Sequence, residues 1–102
     1  MTENQISKPL QRILFDLTGE DRFDIALQVA TKDLLRLKLK EAEERLAEFQ
    51  NRYAMDFEKF KQAWNDDAIP QRHSYEVEKD FWNWEAAETD RRKLWQMLDQ
   101  LP

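Results

Sequence analysis

Residues 21–53, DRFDIALQVATKDLLRLKLKEAEERLAEFQNRY, decide the fold. No glycine or proline interrupts the run, and its apolar side chains recur as Phe23, Leu27, Ala30 and Leu34, then as Leu35, Leu39, Ala42, Leu46, Phe49 and Tyr53. Steps of three and four residues are the spacing of a heptad seam. With Asp21 as a cap, the pattern predicts one helix over 22–53, about 45–50 Å long at the usual helical rise. Glu41, Glu44, Arg45 and Glu48 occupy the other faces, where a helix meets solvent.

The rest of the chain agrees with this helix. Ala, Glu, Lys, Leu and Arg make up 48 of 102 residues, whereas Val and Ile together number six and glycine occurs once. A sheet-rich domain, which needs β-branched residues and turn glycines, is excluded. A single glycine cannot build a phosphate-cradling loop. The absence of cysteine removes thiol chemistry, disulfides and thiolate-bound zinc, and His73 has no second histidine with which to form a metal or catalytic pair. Sequence therefore points to a non-enzymatic all-α protein with no catalytic, cofactor or metal residues.

Around the long helix, the few helix breakers divide the chain. Residues 1–6 read as a frayed end. Ser7 and Pro9 start a short helix over 8–18, with Leu10, Ile13, Leu14 and Leu17 on one face and Gly19 as its stop. Asp56 caps a third helix over 57–65, and Asn65 to Pro70 read as a turn. Ser74 caps a last helix over 75–100, whose stripe runs Val77, Phe81, Trp84, Glu88, Arg91, Trp95, Leu98. The expected architecture over residues 1–102 is a single domain: an antiparallel hairpin of two long helices, with a short N-terminal helix and a short connecting helix.

No stretch approaches the ~20 apolar residues of a membrane span. Glu3, Asp16 and Glu20 speak against an uncleaved signal sequence, so a cytoplasmic protein without a membrane partner is expected. A core this small for such long helices favours a homo-oligomer or a hetero-complex. The net charge of −5 is divided unevenly: residues 1–40 carry +1 and residues 41–102 carry −6. Lys32, Arg36 and Lys40 recur at intervals of four, with Lys38 nearby, and form either a solvated face or a stripe that tracks nucleic-acid phosphates.

Nine of the twelve aromatic residues lie between Phe49 and Trp84. Trp82 points about 100° away from Phe81 and about 200° from Trp84, on the side of Tyr75, so both sides of that turn call for burial. Two explanations stay open. Phe57, Phe60 and Trp64 fold back over Trp82, or part of the patch anchors a partner, a role in which Trp and Tyr are enriched. Glu88 and Arg91 interrupt the apolar stripe, either as an edge pair with its charges in water or as a buried pair that fixes register or meets a partner.

The block from Phe49 to Phe60, followed by Ile69-Pro70 and by His73-Ser74-Tyr75-Glu76-Val77-Glu78-Lys79-Asp80-Phe81-Trp82-Asn83-Trp84-Glu85, resembles a family of small acidic helical proteins of bacteria and archaea. Those proteins look like the antitoxin half of two-gene toxin–antitoxin modules. The resemblance spans about residues 20–100; Ala54 stands where that family commonly has glycine, and Asp56 where it has serine or threonine. It implies a cognate toxin as partner, often a ribonuclease, neutralised by direct contact. Tyr75, Trp82 and Trp84 are then the expected anchors, Glu76, Glu78, Asp80, Glu85 and Glu88 the complementary charges, and Arg91 a further contact. The alternatives are a homo-oligomeric coiled-coil scaffold and a DNA-binding autoregulator using Lys32, Arg36, Lys38 and Lys40.

Overall fold

The computed structural model describes residues 7–102, so the fraying expected of residues 1–6 lies outside the described residues. Four helices follow one another: α1 (Lys8–Thr18), α2 (Phe23–Tyr53), α3 (Phe57–Asn65) and α4 (Tyr75–Asp99). No strand occurs among the described residues.

Side-chain caps open three of the helices. Ser7 Oγ accepts from the Leu10 N–H at 3.2 Å, Asp56 Oδ1 from the Lys59 N–H at 2.9 Å, and Ser74 Oγ from the Val77 N–H at 3.3 Å. Each supplies an acceptor to a backbone donor that lacks a helical partner. Gly19, at φ 74°, ends α1 and donates its N–H to the Phe15 carbonyl at 2.8 Å. The start of α2 departs from expectation, because Arg22 rather than Asp21 occupies the cap position and makes no capping bond. Its guanidinium instead reaches Asp24 at 2.8 Å, and that carboxylate in the first turn favours the positive end of the helix. Ala54 closes α2 at φ 56°, a left-handed conformation that costs a non-glycine residue about 1–2 kcal/mol.

Contacts between α2 and α4 pair residues in opposite order along the chain. Arg52 meets Asp80 at 2.8 Å, Arg45 meets Asp90 at 3.5 Å, and Gln28 Nε2 donates to the Pro102 carbonyl at 3.3 Å. The two long helices thus make hairpin-like contacts, with α1 against α2 and α3 against α4. The molecule extends 57 × 25 × 20 Å. Its radius of gyration of 19.9 Å exceeds the about 13 Å of a compact domain of this length.

Such a shape cannot be filled evenly, and the core gathers at one end. Leu46 and Phe49 of α2, Phe57 and Phe60 of α3, Phe81, Trp84 and Ala87 of α4, and Ile69 form one buried cluster. Ile69 lies in the segment read from sequence as a simple turn; its side chain enters the core and fastens the α3–α4 connection. The long apolar stripe of α2 proves to be two stripes. Between Leu34 and Leu35 the pattern steps by one residue, which turns it about 100° around the helix. Leu39, Ala42, Leu46 and Phe49 are buried, whereas Leu27 and Leu34 are exposed.

Candidate partner-binding surface

The first turns of α4 divide the aromatic residues between two faces. Trp84 is 0% exposed. Rings of Phe60 at 4.9 Å, Phe49 and Phe57 at 5.5 Å and Tyr53 at 5.8 Å surround it. Its indole Nε1–H has no hydrogen-bond acceptor among the described residues. Trp84 therefore belongs to the core and is corrected from partner anchor to structural residue. The short helix does fold back, but over Phe81 and Trp84 and not over Trp82: Phe57 and Phe60 lie 5.8 Å and 6.1 Å from Phe81, ring to ring.

Trp82 remains 59% exposed, edge-on to Phe81 at 5.2 Å. It stands as a ridge between two hollows. One, of about 420 Å³, is bordered by His73, Tyr75, Glu78, Lys79 and Asn83; the other, of about 400 Å³, lies between α3 and α4 beside Phe57, Glu58, Lys61, Glu85 and Ala86. Tyr75 is 74% exposed and holds the Lys79 ammonium 5.9 Å from its ring. Trp82, Tyr75, Glu78 and Glu85 thus share one outward side of α4, about one helical turn apart. Glu76 and Glu78 occupy the first turn, where their charge also favours the helix N-terminus.

Other expected contact residues are used inside the molecule. Asp80 accepts from Arg52 Nη1 through both oxygens at 2.8 Å and from the Tyr53 hydroxyl at 2.6 Å, so it ties α2 to α4 and is withdrawn from the candidate surface. Glu88 and Arg91 pair with each other at 3.0 Å beside Leu46, Ala47 and Gln50, at the edge of the helix–helix seam. Sequence spacing alone did not single out the Arg52–Tyr53–Asp80 group, although Arg52 and Tyr53 are adjacent and Asp80 belongs to the most specific block of the resemblance.

Burial, the bond to Asp80 and the charge of that carboxylate push the Tyr53 phenol up to about 12. Asp80 likewise raises the Arg52 guanidinium. Since the ordinary tyrosine value is 10.0, the folded state holds the Tyr53 proton more tightly than the unfolded chain. Its stabilisation, on the order of 2 kcal/mol, is complete below pH ~10 and is lost as pH rises through ~12. Thermal melting should fall across that window, and Tyr53→Phe should remove this part of the decline. Alkaline absorbance titration of Tyr75→Phe, in which Tyr53 is the one remaining tyrosine, should show the raised phenol directly.

On the basic stripe of α2, Arg36 lies 3.4 Å from Asp33, and Lys38 lies 3.9 Å from Glu41. Lys38 points about 200° from Arg36, so it lies off the face that Lys32, Arg36 and Lys40 share. Among the described residues, no group of three or more His, Cys, Asp or Glu side chains is placed to hold a metal ion. No helix among them is long and apolar enough to cross a membrane.

The chain belongs to the uncharacterized protein MJ0235 family, whose model matches residues 5–102. That description carries no toxin–antitoxin role. No curated protein and no solved structure matches the chain.

Proposed function

We propose that this chain is a non-enzymatic binding protein of antitoxin type, which neutralises a cognate cytoplasmic toxin by covering it. The half-exposed Trp82 ridge carries the assignment: a large apolar ring left between two hollows, on a helix that already buries its other aromatic face. Exposed Trp and Tyr are preferred anchors because they bury a large area for few ordered torsions. Residues 41–102, which contain this surface, carry a net −6.

Such a charge fits a basic partner. A ribonuclease toxin needs cationic surface to hold the RNA backbone, and an acidic antiparallel hairpin laid over that surface competes with RNA for the same charges. Glu76, Glu78 and Glu85 would steer the encounter, and Trp82 and Tyr75 would hold the complex. A DNA-binding role is disfavoured by the carboxylates on Arg36 and Lys38.

Co-expression with the protein encoded by the neighbouring reading frame tests the proposal. The two should co-elute, and the neighbour expressed alone should arrest growth. A neighbour that is harmless alone and elutes separately from the chain would refute it.

A further inference from the structure

A second unpaired surface lies at the opposite end from Trp82. Phe23, Leu27, Ala30, Leu34 and Leu37 recur along α2 in steps of four, three, four and three, the same spacing as the buried stripe; Leu27, Leu34 and Leu37 are exposed, and Phe23 and Ala30 between them are half-buried. Leu34 is 55% exposed, and Leu27 and Leu37 are nearly as open. Beside them α1 buries only Leu14, leaving Leu17 77% exposed together with Leu10 and Ile13. The stripe leads along α2 past Lys38 to a hollow of about 320 Å³ where Met97 of α4 is also exposed.

We infer that this end of the molecule is a self-association surface, occupied by a second copy of the chain in a two-fold arrangement. Area is the first ground. The seven exposed side chains Leu10, Ile13, Leu17, Leu27, Leu34, Leu37 and Met97 each offer on the order of 100 Å², close to the ~800 Å² that each partner contributes to a standard interface. Charge is the second. Residues 1–40 carry a net +1, so two copies can meet here almost without repulsion, whereas two acidic ends, each drawn from the −6 region, would repel. The heptad spacing is the third ground, because a stripe with this period is complementary to another copy of itself, as an isologous contact requires. Two copies joined in this way would hold their Trp82 surfaces at the far ends.

Sedimentation of the purified chain over a range of concentrations is the test, with Leu27→Glu/Leu34→Glu and Trp82→Ala run beside it. The wild-type chain and Trp82→Ala should sediment at twice the chain mass and melt at temperatures that rise with concentration. The Leu27→Glu/Leu34→Glu variant should sediment at the mass of one chain with its helical circular dichroism intact, because both leucines are exposed in the single chain. High salt should leave the dimer in place, in contrast to capture of a basic partner. A wild-type chain that stays monomeric at submillimolar concentration would overturn the inference on its own, whether or not the double variant folds. A dimer lost in Trp82→Ala but kept in Leu27→Glu/Leu34→Glu would also overturn it.

Discussion

Trp84→Ala should cost about 3–5 kcal/mol, the range for truncating a large buried aromatic residue, and leave much of the chain unfolded at ambient temperature. Trp84 is the largest fully buried side chain, and four aromatic rings from α2 and α3 pack on it. At the α1 end of the molecule Leu14 and Ala26 are buried, too small a group among the described residues to compensate. Trp84→Phe should be much milder. It keeps an aromatic ring in the cage and deletes the indole N–H that finds no acceptor among the described residues, a group whose burial costs about 1–3 kcal/mol. Denaturant midpoints followed by far-UV circular dichroism should rank the wild-type chain and Trp84→Phe far above Trp84→Ala.

Two residues earlier on the same helix, Trp82→Ala should do the opposite. Stability should change by no more than about 0.5 kcal/mol, as for a surface position, because more than half of the side chain is already in solvent. Partner affinity should fall by 2 kcal/mol or more, roughly 30-fold, if the ridge is the anchor of the complex. Glu78→Lys beside it should mainly slow association and reduce its salt dependence, since a rim charge steers the encounter and contributes little to the docked state. Calorimetric titration at two salt concentrations, with melting curves as the control for folding, separates these effects.

That division between neighbouring tryptophans shows how far sequence periodicity reaches. Helical spacing placed Trp82 and Trp84 on different faces, and Ser7, Gly19, Asp56 and Ser74 mark the helix ends because their cap chemistry is local. Periodicity does not say which neighbour covers a face. For that reason Trp84 groups with the anchors on sequence alone, and one of the two open readings puts the α3 aromatics over Trp82. The same limit joins Leu34 to Leu35 in one seam: each half keeps the right spacing, and only the position of α4 shows that Leu39, Ala42, Leu46 and Phe49 are covered while Leu27 and Leu34 stay exposed. Asp80 read as surface charge because its partners, Arg52 and Tyr53, are 28 and 27 residues away in sequence. Ile69 was hidden differently, beside a proline and polar residues whose local chemistry marks a turn but does not show that one apolar side chain points inward.

Neutralisation of a partner by direct binding is tested by titrating the neighbouring gene product's RNA cleavage with purified chain. Cleavage should fall linearly to completion at a fixed molar ratio, and Trp82→Ala should require a large excess to match it. RNA cleavage that continues undiminished in the presence of excess folded chain would contradict the account.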